Sequence, residues 1–396
     1  MMKHRVVKKG IAMVLIGSML LSFSGCGKST DAAALEIPDF IVEVESGREP
    51  IILQLTDPQI VDAAQARSSG RLPEEQKPFY ATNMAEENCY KYLREIITET
   101  KPDLILMTGD LVYGEFDDKG TALTGLIEFM ESFKIPWAPV MGNHEGESTK
   151  GADWQCEQLE NAKHCLFKQR DIMGNGNYTV GIKQDKQLKR VFFMLDSNGC
   201  TEMSVETWGN CHTTAGEGFA DGQIAWYTDT ANQIKELSPD TKFSFAFHIP
   251  MASFADAYAK YGFTNSGTEE NPIDIDSLKD GYEDGENDFG YIGGDIGGWD
   301  ADGEIFEGIA ELGTDSIFVG HKHAVSASVV KNGIRFQIGQ KSSAYDKMNY
   351  KGPDGDIVST YYTSAYADYK PIVGGTVIPL SAEDGAIKEP YIYYCK

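Results

Sequence analysis

Five short apolar runs in this chain each lead, within a few residues, to a side chain that can donate to a metal ion. The first, Ile51–Leu55, leads to Asp57, and Leu104–Met107 leads through Thr108 and Gly109 to Asp110. Residues 137–141 precede Asn143 and His144, residues 243–247 precede His248, and residues 317–319 precede His321 and His323. Short apolar runs without polar alternation read as strands buried on both faces, which predicts an α/β fold. Its donors collect on one rim, outside the carboxyl ends of the strands, where open α/β sheets bind ligands. No linker-like tract interrupts residues 57–323, so that span must fold as a unit. A chain of 396 residues, 41% of them hydrophobic, can bury the core this requires.

The donor types define the chemistry. Carboxylates, imidazoles and one amide oxygen suit small cations such as Mn, Fe or Zn, whereas a set poor in thiolates argues against a structural zinc finger. Taken singly, each piece has a plainer reading: an Asp after a strand is commonly a turn or cap residue, and a lone His is more often structural. The ordered set, with GNHE and GHKH in it, is what argues for a metal site. Four of the 7 His lie in these segments; His4 is in the N-terminal signal, and His164 and His212 each adjoin a Cys and read as solvated loop residues.

In order, LTDPQ, GDLVYG, GNHE, FHIP and GHKH resemble the calcineurin-like metallophosphoesterase superfamily over about residues 48–382. The resemblance implies a four-layer sandwich, two mixed β-sheets packed face to face and flanked by helices. It also implies two metal ions: Asp57, Asp110 and His323 on the first, and Asp110, Asn143, His248 and His321 on the second, with Asp110 as the shared carboxylate. Two cations about 3.5–4 Å apart make water a nucleophile near neutral pH and neutralise a phosphoryl group. His144 would face the substrate phosphate and either protonate the departing oxygen or stabilise phosphoryl charge. Glu145 reads as the residue orienting His144 or as a surface acid, and Asp196 as a residue behind the ligands at most.

One departure marks the subtype. Commoner members carry Asp-x-His in the first segment, with that His on the first metal; here the sequence is Asp57-Pro58-Gln59, and Gln is a poor transition-metal ligand. The second segment compensates on paper, because Gly109-Asp110-Leu111-Val112-Tyr113 is similar to the GDxxY pattern of purple acid phosphatases, in which the Tyr phenolate binds a ferric ion. The expected metals are therefore Fe paired with Fe, Mn or Zn, or else a Mn and Zn pair. A second reading stays open, in which Tyr113 is a packing aromatic and Gln59 contacts a water or the substrate.

The N-terminus reads as a targeting device. Lys3, Arg5, Lys8 and Lys9 precede an apolar run over residues 11–21, and Phe23-Ser24-Gly25-Cys26 resembles a bacterial lipobox. Residues 1–26 are thus expected to be a lipoprotein signal, 27–47 a tether and 48–396 the catalytic domain, on a chain exported and held at the membrane by lipidated Cys26. Removing those four basic residues changes the net charge from -25 to -29, so attraction to nucleic-acid polymers is not expected. Cys89, Cys156, Cys165, Cys200, Cys211 and Cys395 form an even set, compatible with loop staples at 156/165 and 200/211 or with buried thiols. An acidic insertion, about residues 252–303, reads as a loop arching over the rim; a calcium site at Asp280, Asp284, Glu286 and Asp288 is the less favoured reading. No glycine-rich nucleotide loop is present.

Together these features predict an exported two-metal phosphoesterase that hydrolyses small phosphomonoesters through a metal-activated hydroxide, with no obligate protein partner. The alternatives are a phosphodiesterase acting on nucleotides or on phospholipid or teichoic-acid headgroups, and a non-catalytic surface lipoprotein that binds phosphorylated ligands.

Overall fold

The structure, a computed structural model, describes residues 37–67, 77–83, 85–199, 218–259, 288–292, 302–323, 325–343, 347–351, 357–361 and 373–396, with positions 74, 296, 298 and 299. The expected lipoprotein signal (residues 1–26), residues 27–36 and most of the acidic insertion lie outside the described residues. Among the described residues, no helix is long and apolar enough to cross a membrane.

Two mixed sheets carry the fold. The smaller contains β2 (Ile51–Leu55), β3 (Leu104–Met107) and β4 (Trp137–Pro139) in parallel, extended antiparallel by β14 (Gly374–Pro379) and then β15 (Tyr391–Tyr394). The larger has eight strands in the order β1 (Phe40–Glu43), β5 (Tyr178–Gln184), β6 (Gln187–Met194), β7 (Lys242–Ala246), β9 (Thr314–Val319), β11 (Ile334–Ile338), β10 (Val325–Lys331) and β8 (Phe289–Ile292). Strands β6, β7, β9 and β11 run parallel there. A separate two-stranded pair joins β12 (Lys347–Lys351) to β13 (Ile357–Tyr361).

The apolar runs are continuous because the larger sheet is covered on both faces. Along β6, Phe192 and Met194 face the core shared with the smaller sheet, while Val191 and Phe193 face a second core. In β9, Phe318 belongs to the first core and Ile317 and Val319 to the second. A period of 2 with both phases apolar is the pattern of a strand buried between layers. The first core is closed by the helices Glu86–Thr100 and Thr121–Glu131, through Leu93, Ile96, Ile97, Leu123 and Leu126. The second is closed by the helices Asp221–Leu237, Ala252–Tyr258 and Gly303–Glu311, through Tyr227, Ile234, Phe254 and Ile309. The result is helix, sheet, sheet, helix: the four-layer α/β sandwich anticipated from the sequence.

Two boundaries differ from expectation, and the cysteines take one of the two readings left open. The tether was expected to reach residue 47, but Phe40–Glu43 pairs in parallel with β5 from Phe40↔Val180 to Glu43↔Lys183, and the compact unit begins at Ile37. The strand is short, with a half-exposed pattern, so neither length nor alternation announced it. The insertion begins as helix Ala252–Tyr258 and ends as the edge strand β8, antiparallel to β10; within it Asp288 accepts the backbone N–H of Val330 at 2.7 Å. Asp280, Asp284 and Glu286 lie outside the described residues. Finally, Cys89, Cys156, Cys165 and Cys395 carry buried thiols rather than disulfides, whereas Cys200 and Cys211 lie outside the described residues.

Candidate metal centre

The rim is built where five parallel strands, three from the small sheet and two from the large, turn into loops. Asp57, Gln59, Asp110 and His321 all hold left-handed backbone, with φ of 50, 45, 51 and 70°. Such conformations cost non-glycine residues roughly 1–3 kcal/mol each and persist where the surroundings over-determine them, typically at functional sites. The neighbouring glycines are steric requirements. A Cβ on Gly142 would strike the Asp110 carboxylate and backbone, and one on Gly320 would strike the Thr56 hydroxyl and Asp57 carboxylate. The strain and the missing side chains together let two sheets bring their loops into contact.

Asp57 shows most clearly what the site is shaped for. Its Oδ2 accepts the Thr56 hydroxyl at 2.6 Å and the backbone N–H of His321 at 3.0 Å. Its Oδ1 is buried with no hydrogen bond, and stands 3.2 Å from His323 Nε2. A buried carboxylate oxygen left without a hydrogen bond is costly unless a cation is its partner. Donor atoms of Asp57, Asp110 and His323 lie within 4.8 Å of one another.

A second cluster shares Asp110. Asn143 Oδ1 is 2.9 Å from His321 Nδ1 and 3.2 Å from His248 Nε2, which is 3.3 Å from Asp110 Oδ1. Donors bound to one ion at about 2.0–2.2 Å stand roughly 3–3.5 Å apart, so these spacings fit a common cation. The tautomer of His248 is set from behind: its Nδ1–H donates to the Thr108 carbonyl at 2.8 Å, turning Nε2 toward the cluster. The six residues expected to hold the two metals therefore converge in two groups hinged on Asp110.

Electrostatics favours positive charge here. Burial alone would raise the Asp57 carboxyl, but His323, with help from His248, holds it down to about 2. Asp110 is likewise held well below the carboxylate range, against burial, by His248 and His144. Burial opposes a charge on His248, yet Asp110 pushes its imidazolium up to about 10. Burial and the charge on His248 depress His321 to about 3, which leaves it as the neutral imidazole that ligates metals.

His144 sits beside the clusters. Its backbone N–H donates to Asp110 Oδ1 at 2.9 Å, and its Nε2 is 3.8 Å from Asp110 Oδ2. The residue that orients its ring is Glu147, whose Oε2 lies 2.8 Å from Nδ1, and not Glu145. Glu145 instead staples loops, accepting the backbone N–H groups of Leu111, Val112 and Gly142. Glu147 was legible in principle: an acid three residues after His144 lies on the same side of the short 3-10 turn Glu145–Glu147.

Tyr113 lies in an aromatic cluster with Tyr80 and Phe116, its ring centroid 4.2 Å from that of His144. Gln59 is buried, donates to Asp110 Oδ2 at 3.2 Å and accepts from Lys341 at 3.1 Å. Asp196 is a buried loop anchor, accepting the backbone N–H groups of Asn175 and Asn198, each at 2.8 Å. His164 is not a solvated loop residue; it pairs with Glu131 at 2.7 Å.

A family model described as calcineurin-like phosphoesterase matches residues 52–325. A probable inactive purple acid phosphatase 29 of Arabidopsis thaliana is 25% identical over 243 residues, covering 55% of this chain and 59% of that protein. A probable inactive purple acid phosphatase 28 from the same plant is 41% identical over 190 residues, covering 41% of this chain and 45% of that protein. The chain thus spans about half the length of the curated relatives it matches. Among solved structures, a dimetal phosphatase from Danio rerio aligns with a TM-score of 0.44 and 10% identity, over 88% of this chain and 99% of that one.

Proposed function

Because the chain belongs to the calcineurin-like phosphoesterase family, we propose that it is a metal-dependent hydrolase of small phosphomonoesters, exported and held at the membrane through lipidated Cys26. The observation that carries the chemistry is the pair of donor clusters hinged on Asp110, with the unbonded Asp57 Oδ1 in one of them. Two metal ions held there would supply an activated water and neutralise phosphoryl charge. Asp57, Asp110 and His323 would hold the first ion, with Tyr113 as a further ligand; Asp110, Asn143, His248 and His321 would hold the second.

The chain's own groups do the rest. As the phosphorus–oxygen bond to the leaving group breaks, the departing oxygen takes a proton from His144 Nε2, and Glu147 stabilises the imidazolium through Nδ1. Tyr113 keeps the imidazole ring in place from its face. Release of inorganic phosphate from a panel of monoesters and diesters tests the reading. Turnover of monoesters supports it, preference for diesters moves the assignment to the runner-up, and phosphate-ester binding without release leaves a receptor. The word inactive in the names of two relatives concerns those proteins; the panel answers the question for this one.

Two substitutions probe the parts. Glu147→Ala is expected to lower kcat by about 10–100-fold with KM and metal content little changed, and Glu147→Asp to recover part of it, because the carboxylate acts only through His144. Loss of metal in Glu147→Ala would show a role in building the site instead. For Tyr113, a phenolate on Fe(III) gives the oxidised protein a visible charge-transfer band that Tyr113→Phe abolishes. A colourless protein that tolerates the change would leave Tyr113 as the packing partner of His144 alone.

A further inference from the structure

Lys341 is almost fully buried, at 3% exposure, directly behind the first metal position. It follows β11, and its backbone forms a parallel bridge with Thr56, the residue before Asp57. Both hydrogen bonds of its side chain go to neutral oxygens, the Asp57 carbonyl at 2.8 Å and Gln59 Oε1 at 3.1 Å. Among the described residues, no carboxylate lies within ion-pair distance of it. An ammonium buried against neutral acceptors alone is expensive, costing several kcal/mol after relaxation. The fold tolerates it only if a negative field lies close by. Asp57 and Asp110, both 1% exposed, supply that field, and Gln59 connects them to the lysine by donating its own amide N–H to Asp110 Oδ2 at 3.2 Å.

We infer that Lys341, relayed by Gln59, is a built-in counter-cation of the first metal position, setting how tightly that position holds its ion. The inference rests on the two-metal reading of the site. Where commoner relatives present an imidazole to the metal, this chain presents an amide whose oxygen is already taken by the lysine. The amide N–H that remains is a donor, not a ligand. At that position the neutral imidazole is replaced by the Tyr113 hydroxyl, which must lose its proton to bind a cation, and a fixed positive charge lies behind it; both differences weaken binding of a divalent cation there. At the second position, across the cleft, His248 and His321 face the Thr108 carbonyl, the Asn143 amide oxygen and the carboxylates of Asp110 and Asp57, none of them a cation. The centre is therefore asymmetric: one ion is held firmly, the other is exchangeable.

The test is calorimetric titration of the full chain, stripped of metal, with Mn2+ alone, alongside elemental analysis after desalting. Wild type is expected to show two unequal sites and to retain about one ion per chain. Lys341→Met should tighten the weaker site at least about tenfold and leave the stronger one within about twofold, because removing a buried like charge favours the ion. Gln59→Glu, which keeps the lysine paired and adds a carboxylate at the same place, should tighten it as well. A folded Lys341→Met protein whose weaker site is unchanged or weaker would overturn the inference and make Lys341 a structural clamp on the Asp57 loop. If Lys341→Met does not fold, unchanged Mn2+ affinity in Gln59→Glu has the same force. Two equal sites in the wild type also defeat the inference while leaving the two-metal reading intact; no Mn2+ binding at all defeats that reading itself.

Discussion

Asp110→Asn should empty both metal positions and reduce phosphate release by at least about a thousandfold. The expectation follows from the number of jobs one carboxylate does. Asp110 Oδ1 faces His248 and accepts the His144 backbone N–H, while Oδ2 faces Gln59 and the first cluster. An amide supplies one neutral oxygen where two charged ones are needed, and its NH2 meets Gln59 or His144 as a donor opposed to a donor. Removing ordinary partners behind ligands costs 10–100-fold in metal affinity, and the loss of a shared ligand is larger because both ions are affected together. Elemental analysis separates this from a purely catalytic defect. An Asp110→Asn protein retaining two metals per chain would exclude Asp110 as the bridge, whatever its activity.

The second large effect belongs to His144. General-acid assistance contributes about 10²–10⁴-fold, and only where the leaving group needs the proton. His144→Ala should therefore slow alkyl phosphates by that factor and p-nitrophenyl phosphate far less, with both metals retained. Equal loss on the two substrates would instead assign the imidazole to binding the phosphoryl oxygens. The leaving-group comparison is the informative readout, because the His144 backbone N–H also supports Asp110, and a displaced backbone would damage both reactions alike.

The rim was legible because its information is local. Each ligand follows a buried strand by only a few residues, and the apolar runs are continuous because their sheets are covered on both faces. What could not be read was whatever depends on contacts distant in sequence. Lys341 lies in Gln340-Lys341-Ser342, with no pattern to distinguish it from a surface lysine, and meets Gln59 only because β11 and β2 belong to sheets whose ends converge. Strand β1 is equally silent, four residues that are strand only because β5 offers an edge. The orienting role expected of Glu145 falls to Glu147 for a finer reason. The first residue after His144 points back into the loop, and the third returns to its side of the turn.

The two donor clusters also have a meaning in polymer terms. Asp57, Asp110 and Asn143 come from the small sheet and His248, His321 and His323 from the large one, so an ion bound to both groups is a cross-link between segments as far apart in sequence as residues 57 and 323. Cross-links that close long loops remove the most freedom from the unfolded chain. Bound metal should thus act on the whole molecule rather than on the rim alone, and the melting temperature should rise with metal concentration in the way linkage requires of any ligand that binds only the native state.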